Sequence, residues 1–241
     1  MAFFVILYSD LTFMKITIFM FLFSCTLFAQ DTLYFEKKID SLYREDQFYF
    51  GFTYNLFQNK PSGISQDGFS TGLHLGFLRD MPINKNRTMA VAVGFGFAYQ
   101  AYNQNLLISK NENTYTFTRI DNDVAYKKNQ FSFINFDLPI ELRWRTSTPE
   151  SHKFFRLYTG IKLSYMLYNN SRFIASEGNI KINNNENFNA FQYGVYLATG
   201  YNTWNFYAYY GLNTIFKSEA KFEGRAMELS TLNLGLQFYI L

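Results

Sequence analysis

Cysteine is almost absent from this sequence, and its single occurrence, Cys25, lies in the apolar N-terminal stretch. The chain expected after cleavage of that stretch therefore has no disulfide and no thiol chemistry. Charge of one sign is also lacking. The formal net charge is +3, and Asp, Glu, Lys and Arg are interspersed, which gives no electrostatic footprint for nucleic acid. After residue 30 no run approaches the roughly 18 consecutive apolar residues of a transmembrane helix. Only two histidines occur, His74 and His152. With no Cys/His cluster, phosphate-cradling loop or paired-carboxylate motif, the sequence offers no metal, cofactor or catalytic constellation.

Aromatic residues are what the chain has in excess: 29 Phe and 19 Tyr, with aromatics at 21% overall. That is more than a soluble core of this size can use. An outer surface bathed in lipid and edged by aromatic girdles can use it. The stretch around which the rest is organised is Phe131–Arg145, F-S-F-I-N-F-D-L-P-I-E-L-R-W-R. From Ile134 it alternates strictly, with Ile134, Phe136, Leu138, Ile140, Leu142 and Trp144 on one side. Asn135, Asp137, Pro139, Glu141, Arg143 and Arg145 lie on the other. Successive side chains of a strand face opposite sides of its sheet, so the spacing predicts a strand with one greasy and one charged face. Ordinary strands run about 5–6 residues. Strands that cross a bilayer in a barrel need roughly 9–11, apolar outside and polar inside.

The N-terminus predicts a secretory signal over residues 1–30. Met14-Lys15 is followed by an apolar run that ends at Ala29, and the expected start is Met14. Leu22-Phe23-Ser24-Cys25 is a poor lipoprotein box, because Phe23 is bulky. Residues 31–46 are polar with Phe35, Ile39 and Leu42 at helical spacing, a periplasmic segment before the barrel. The barrel is expected over 47–241, in strands near 47–58, 69–78, 88–100, 131–145, 154–168, 189–201, 204–216 and 229–241. The third carries an inward row of small residues, Ala90, Ala92, Gly94, Gly96 and Ala98. Such a row makes room for large side chains of the facing wall. In the seventh, Leu212 and Phe216 are expected to face out.

Eight strands, with the first, third, fifth and seventh connections the longer set, predict an all-β, antiparallel, up-and-down outer-membrane barrel. Its short turns are periplasmic and its long loops extracellular. A soluble, lipocalin-like barrel would have to bury the large apolar face, and an eight-stranded lumen is too narrow for it. The lumen is expected to be filled. Asp137, Glu141, Arg143, Arg145, Arg156 and Lys162 face inward across one hairpin and predict an ionic network, since buried charges persist only when paired. His74 is expected inward. Ser70 lies on the same face but four residues away, roughly 13 Å by strand rise, which is beyond hydrogen-bond reach. Trp144, Tyr201 and Trp204, at strand ends beside short turns, fit a periplasmic girdle.

The text F-x-F-I-N-F-D-L-P-I-E-L-R-W over Phe131–Trp144, with the Gly-aromatic strands and the final G-L-Q-F-Y-I-L, resembles the PorT-like outer-membrane β-barrel proteins of Bacteroidota. The resemblance implies an outer-membrane location and, for the family's namesake, a part in type IX secretion and gliding. Four functions follow as expectations. The first is a non-enzymatic accessory or interaction protein acting through loops or rims. The others are a component of the type IX machinery, an outer-leaflet lipid-modifying enzyme and a small-solute channel. Expected partners are outer-membrane lipids and periplasmic or secretion-machinery proteins, with no nucleic acid, no cofactor and a monomeric barrel.

Overall fold

The computed structural model describes residues 46–112, 114–121, 123–147, 154–176 and 178–240. The expected signal, Cys25, nearly all of the polar 31–46 segment and His152 lie outside the described residues. The strands are β1 (Gln47–Gln58), β2 (Thr71–Pro82), β3 (Met89–Asn103), β4 (Leu106–Asn111), β5 (Thr114–Arg119), β6 (Tyr126–Arg145) and β7 (Phe155–Ala175). They continue as β8 (Gly178–Asn183), β9 (Phe191–Tyr201), β10 (Trp204–Gly211), β11 (Lys221–Phe222), β12 (Arg225–Ala226) and β13 (Ser230–Ile240). Eight of them, β1, β2, β3, β6, β7, β9, β10 and β13, pair antiparallel in chain order, and β13 closes on β1. Closure leaves no edge, so the strands satisfy their backbone groups on both sides, as hydrocarbon requires, with one gap in the β3–β6 ladder opposite Pro139.

The wall is greasy outside and polar inside. Phe48, Phe50, Leu75, Phe95, Ile140, Ile161, Val195, Phe206 and Leu234 are exposed, whereas Thr53, Asn55, His74, Gln100, Asp137, Glu141, Gln192, Asn233 and Gln237 are buried. That inversion of a soluble core is the outer-membrane pattern. The inward small residues of β3 do make space. A Cβ on Gly96 or on its partner Gly76 would collide with the Tyr49 hydroxyl, which fills the lumen over that pair.

The connections after β1, β3, β7 and β10 (59–70, 104–125, 176–190 and 212–229) lie at one end. Those after β2, β6 and β9 (83–88, 146–154 and 202–203) lie at the other. The first set is extracellular by the usual loop asymmetry. It is also built, since β4 pairs with β5, β8 with β7, and β11 with β12.

Four strands end or begin well away from the sequence expectation. β2 runs on to Pro82, through the Arg79-Asp80 step that reads as a turn, because Asp80 pairs opposite Ala92 and drops its side chain into the lumen. β6 begins at Tyr126 and β7 runs on to Ala175, well past the expected 131 and 168, because polar alternation supports a hairpin in water as well as in lipid. β10 stops at Gly211, and Phe216 does not face out. The chain leaves the wall, Phe216 is fully buried, and its backbone bridges to Phe188 over the barrel mouth. Burial against other rings replaces the lipid contact that simple alternation predicts.

A bulge sets the upper wall. Ile134 pairs with Tyr168 but Asn135 pairs with Met166, leaving Leu167 as the extra residue. Leu167 and Tyr168 both face out, and the parity of β7 reverses above them. Asn169 and Ser171 consequently turn inward, and Asn170 and Arg172 outward.

Gly51 tests how tightly the lumen is filled. A Cβ there would overlap the His74 imidazole, whose ring already lies 4.8 Å from that of Tyr207. Gly51→Ala is expected to lower stability by about 1–3 kcal/mol, the usual cost of overpacking, measured by urea unfolding in detergent. Adding His74→Ala should cost less than the two single changes summed, because the clash disappears with the ring.

Candidate functional site

The lumen is a column of side chains in three layers. At the periplasmic floor Asp80 receives Arg145 through two bonds, Nη1 and Nη2 to Oδ1 and Oδ2, each 2.8 Å. It also accepts from Arg143 Nη1 at 3.0 Å. Arg143 Nε donates in turn to Glu141 Oε2 at 2.7 Å. Asp80 and both arginines have no solvent-accessible side chain. Arg156 stacks its guanidinium on Phe154, Tyr158 and Tyr239 at 4.5, 5.7 and 5.3 Å from the ring centroids.

The middle layer holds a further ion pair, Lys162 Nζ to Asp137 Oδ2 at 3.3 Å, with Ser164 Oγ donating to Asp137 Oδ1 at 2.7 Å. Lys162 also lies 4.3 Å from the Tyr209 ring centroid. Tyr196 Oη donates to Glu141 Oε1 at 2.9 Å and ties this layer to the floor. His74 Nε2 and Gln237 Oε1 are 3.0 Å apart. An amide oxygen only accepts, so Nε2 carries the proton and donates. A cavity of about 10 Å³, bordered by His74, Asp137, Glu141, Lys162 and Tyr207, remains in the middle of this layer. It has room for about one water.

The third layer is an aromatic cap at the extracellular mouth. Phe131 and Phe133 continue the inward face of β6 above Asn135. Phe131 sits 5.2 Å from Tyr102, 5.4 Å from Phe188, 5.6 Å from Phe216 and 5.7 Å from Phe57, centroid to centroid. Phe117 of β5, Ile182 of β8 and Phe222 of β11 join the same cluster. The long connections are thereby nailed to the barrel by their apolar residues.

The structure thus places all six sequence-predicted charges in the lumen, but not as one strip along the β6–β7 hairpin. The hairpin register sets Arg145 directly opposite Arg156, two like charges, and the acid that holds the floor comes from β2. Sequence reasoning missed Asp80 by giving Arg79-Asp80 to a turn. The available signal was parity, since Asp80 continues the inward series His74, Gly76, Leu78. The cap was missed as well, because alternation on β6 was followed only from Ile134.

His74 and Ser70 do not meet chemically. Ser70 Oγ accepts from the Asn103 amide at 3.0 Å and from Gln66 Nε2 at 3.3 Å, while His74 is engaged by Gln237. Among the described residues no three His, Cys, Asp or Glu side chains gather as a metal-holding group. Trp144, Tyr201 and Trp204 stand outward at the short-connection end, 43%, 58% and 63% exposed. Trp204 packs on Phe238 and Trp144 on Phe155, at 4.9 and 6.1 Å. Tyr201 pairs opposite both Phe155 and Trp204. Such a ring of amphipathic aromatics suits the periplasmic headgroup level.

Residues 28–217 match the family described as outer membrane protein beta-barrel domain. No curated protein matches the sequence. Among solved structures, two of Ail, the attachment invasion locus protein of Yersinia pestis, are similar at 12% identity over 83% of this chain and 100% of theirs. The TM-score is 0.40 for Ail in complex with the heparin analogue sucrose octasulfate and 0.38 for Ail alone.

Proposed function

The chain belongs to the outer membrane protein beta-barrel domain family, and from that premise we propose that it is a non-enzymatic accessory protein that binds partners through its loops and rims. The observation that carries this reading is the column of side chains in the lumen. A floor of buried ion pairs and a cap of packed rings leave between them a cavity of about 10 Å³. An eight-stranded lumen filled in this way has no room for a solute path. The long connections, in contrast, form paired hairpins fixed to the cap, which suits a surface that must keep its shape to be recognised. Within this reading, the resemblance of Phe131–Trp144 to PorT-like proteins makes the type IX secretion and gliding machinery the first partner to test.

The test uses the full chain in its own membrane. Lys60, Lys110 and Lys221 are exposed on the long connections and serve as crosslinking handles. Crosslinking with mass spectrometry is expected to return the same partner from at least two of them, and planar bilayers containing the purified barrel are expected to show no conductance steps. Reproducible single-channel steps, or crosslinks no more specific than those of an unrelated barrel, would overturn the reading.

A further inference from the structure

We propose that the outer wall above the membrane, where β6, β7 and β8 meet, is a binding cleft for the phosphates of an outer-leaflet glycolipid. The inference goes beyond the loop-and-rim reading and rests on different residues, all facing sideways from the barrel.

The cleft exists because of the bulge at Leu167. Reversed parity above it sends Arg172 outward, and the register then aligns Arg172 with Gln130 on one side and with Lys181 on the other. Lys128 is the next outward position on β6. Arg172, Lys181 and Lys128 border one cleft of about 300 Å³. Like charges directly opposite each other on paired strands are destabilising, so Arg172 facing Lys181 calls for an anion. Among the described residues no carboxylate lies within ion-pair distance of any of the three.

Position on the wall identifies the occupant. Outward residues on β6 are apolar from Trp144 to Ile134, then Ser132, Gln130 and Lys128. The apolar span matches the roughly 9–11 residues a barrel strand needs in hydrocarbon. Gln130, opposite Arg172, lies four residues above Ile134, roughly 13 Å along the strand, less along the membrane normal because barrel strands tilt. That places the cations where the outer headgroups begin. Tyr99 and Tyr168, both exposed and bordering the same cleft, lie at its lower edge, as interfacial tyrosines do. Because the cleft opens to the side rather than the top, its neighbours are lipid headgroups. Three cations beside the Ser132 hydroxyl and the Gln130 amide, which border the same cleft, suit phosphate on a sugar.

The test compares wild type with the triple variant Lys128→Gln, Arg172→Gln, Lys181→Gln, both in detergent and in phosphatidylcholine nanodiscs. Retention of bisphosphorylated lipid A is measured by native mass spectrometry. A basic residue at an anionic surface is worth about fivefold, so the triple variant is expected to bind about 100-fold more weakly. Added salt should narrow the gap. A control removing Lys60, Lys110 and Lys221 should bind as wild type does, and an unchanged heat-shifted band should show that every variant is folded. Equal retention by wild type and triple variant overturns the proposal. Equal retention of lipid A stripped of its phosphates also overturns it, as does binding of soluble dextran sulfate with none of lipid A.

Discussion

Asp80→Asn is expected to destabilise the barrel by about 3–5 kcal/mol, the usual result of removing one partner of a buried ion pair. Asp80 accepts three hydrogen bonds from two guanidiniums. Arg143 keeps Glu141 when Asp80 is lost, whereas Arg145 loses a paired carboxylate while Arg156, a like charge, stays opposite it in the hairpin register. Asparagine keeps the size and removes the charge, so the loss reports electrostatics rather than a cavity. Urea unfolding in detergent, followed by fluorescence of the outward Trp144 and Trp204, reads the effect directly. Replacing charge and countercharge together with apolar groups is often neutral in a buried site. The double variant Asp80→Leu, Arg145→Met is therefore expected to recover a large part of the loss, with a coupling energy of at least about 1 kcal/mol. Additive effects of the two single changes would show that the floor is not held by this pair.

How much of this was legible in the sequence depends on which side of the wall a residue occupies. Outward residues obey one rule, apolar contact with lipid, so Ile134 to Trp144 and the girdle positions could be read by parity alone. Strand count and loop asymmetry followed for the same reason. Inward residues answer to partners several strands away. Lys162 and Asp137 share a hairpin, and their meeting could be expected. Asp80 meets Arg143 and Arg145 only because β3, with Ala90 and Ala92, separates β2 from β6 by one strand of small side chains. No local pattern states that. Above the membrane the rule changes again. Phe216 looks like a lipid-facing residue of a long strand, yet water on its outer side and Phe188 on its inner side reverse the preference. Ser132, between buried Phe131 and Phe133, marks the same switch.

That switch yields the second large effect. Phe131→Ala is expected to remove about 3–5 kcal/mol of packing, the usual cost of truncating a buried phenylalanine. Phe131 is fully buried and touches rings from β1, β3 and the connections before β9 and after β10. Because those connections are held by the cap, the loss should fall on them and not on the wall. Local opening should become roughly 100- to 4,000-fold more populated, since about 1.4 kcal/mol is worth tenfold. Limited proteolysis of intact cells reads this as rapid cutting within 176–190 and 212–229, while the heat-shifted band of the barrel persists. Phe206→Ala is the matched control. It removes the same ring from a position 73% exposed to lipid and should leave the loops resistant. If both variants resist protease equally, the cap does not hold the loops. The floor adds a further discrimination, because it lies below the cap and keeps its own ion pairs. Phe131→Ala alone should remain non-conducting in planar bilayers, because the middle layer and the floor still fill the lumen. Conductance from Phe131→Ala by itself would mean that the cap, and not the ion cluster, is the seal.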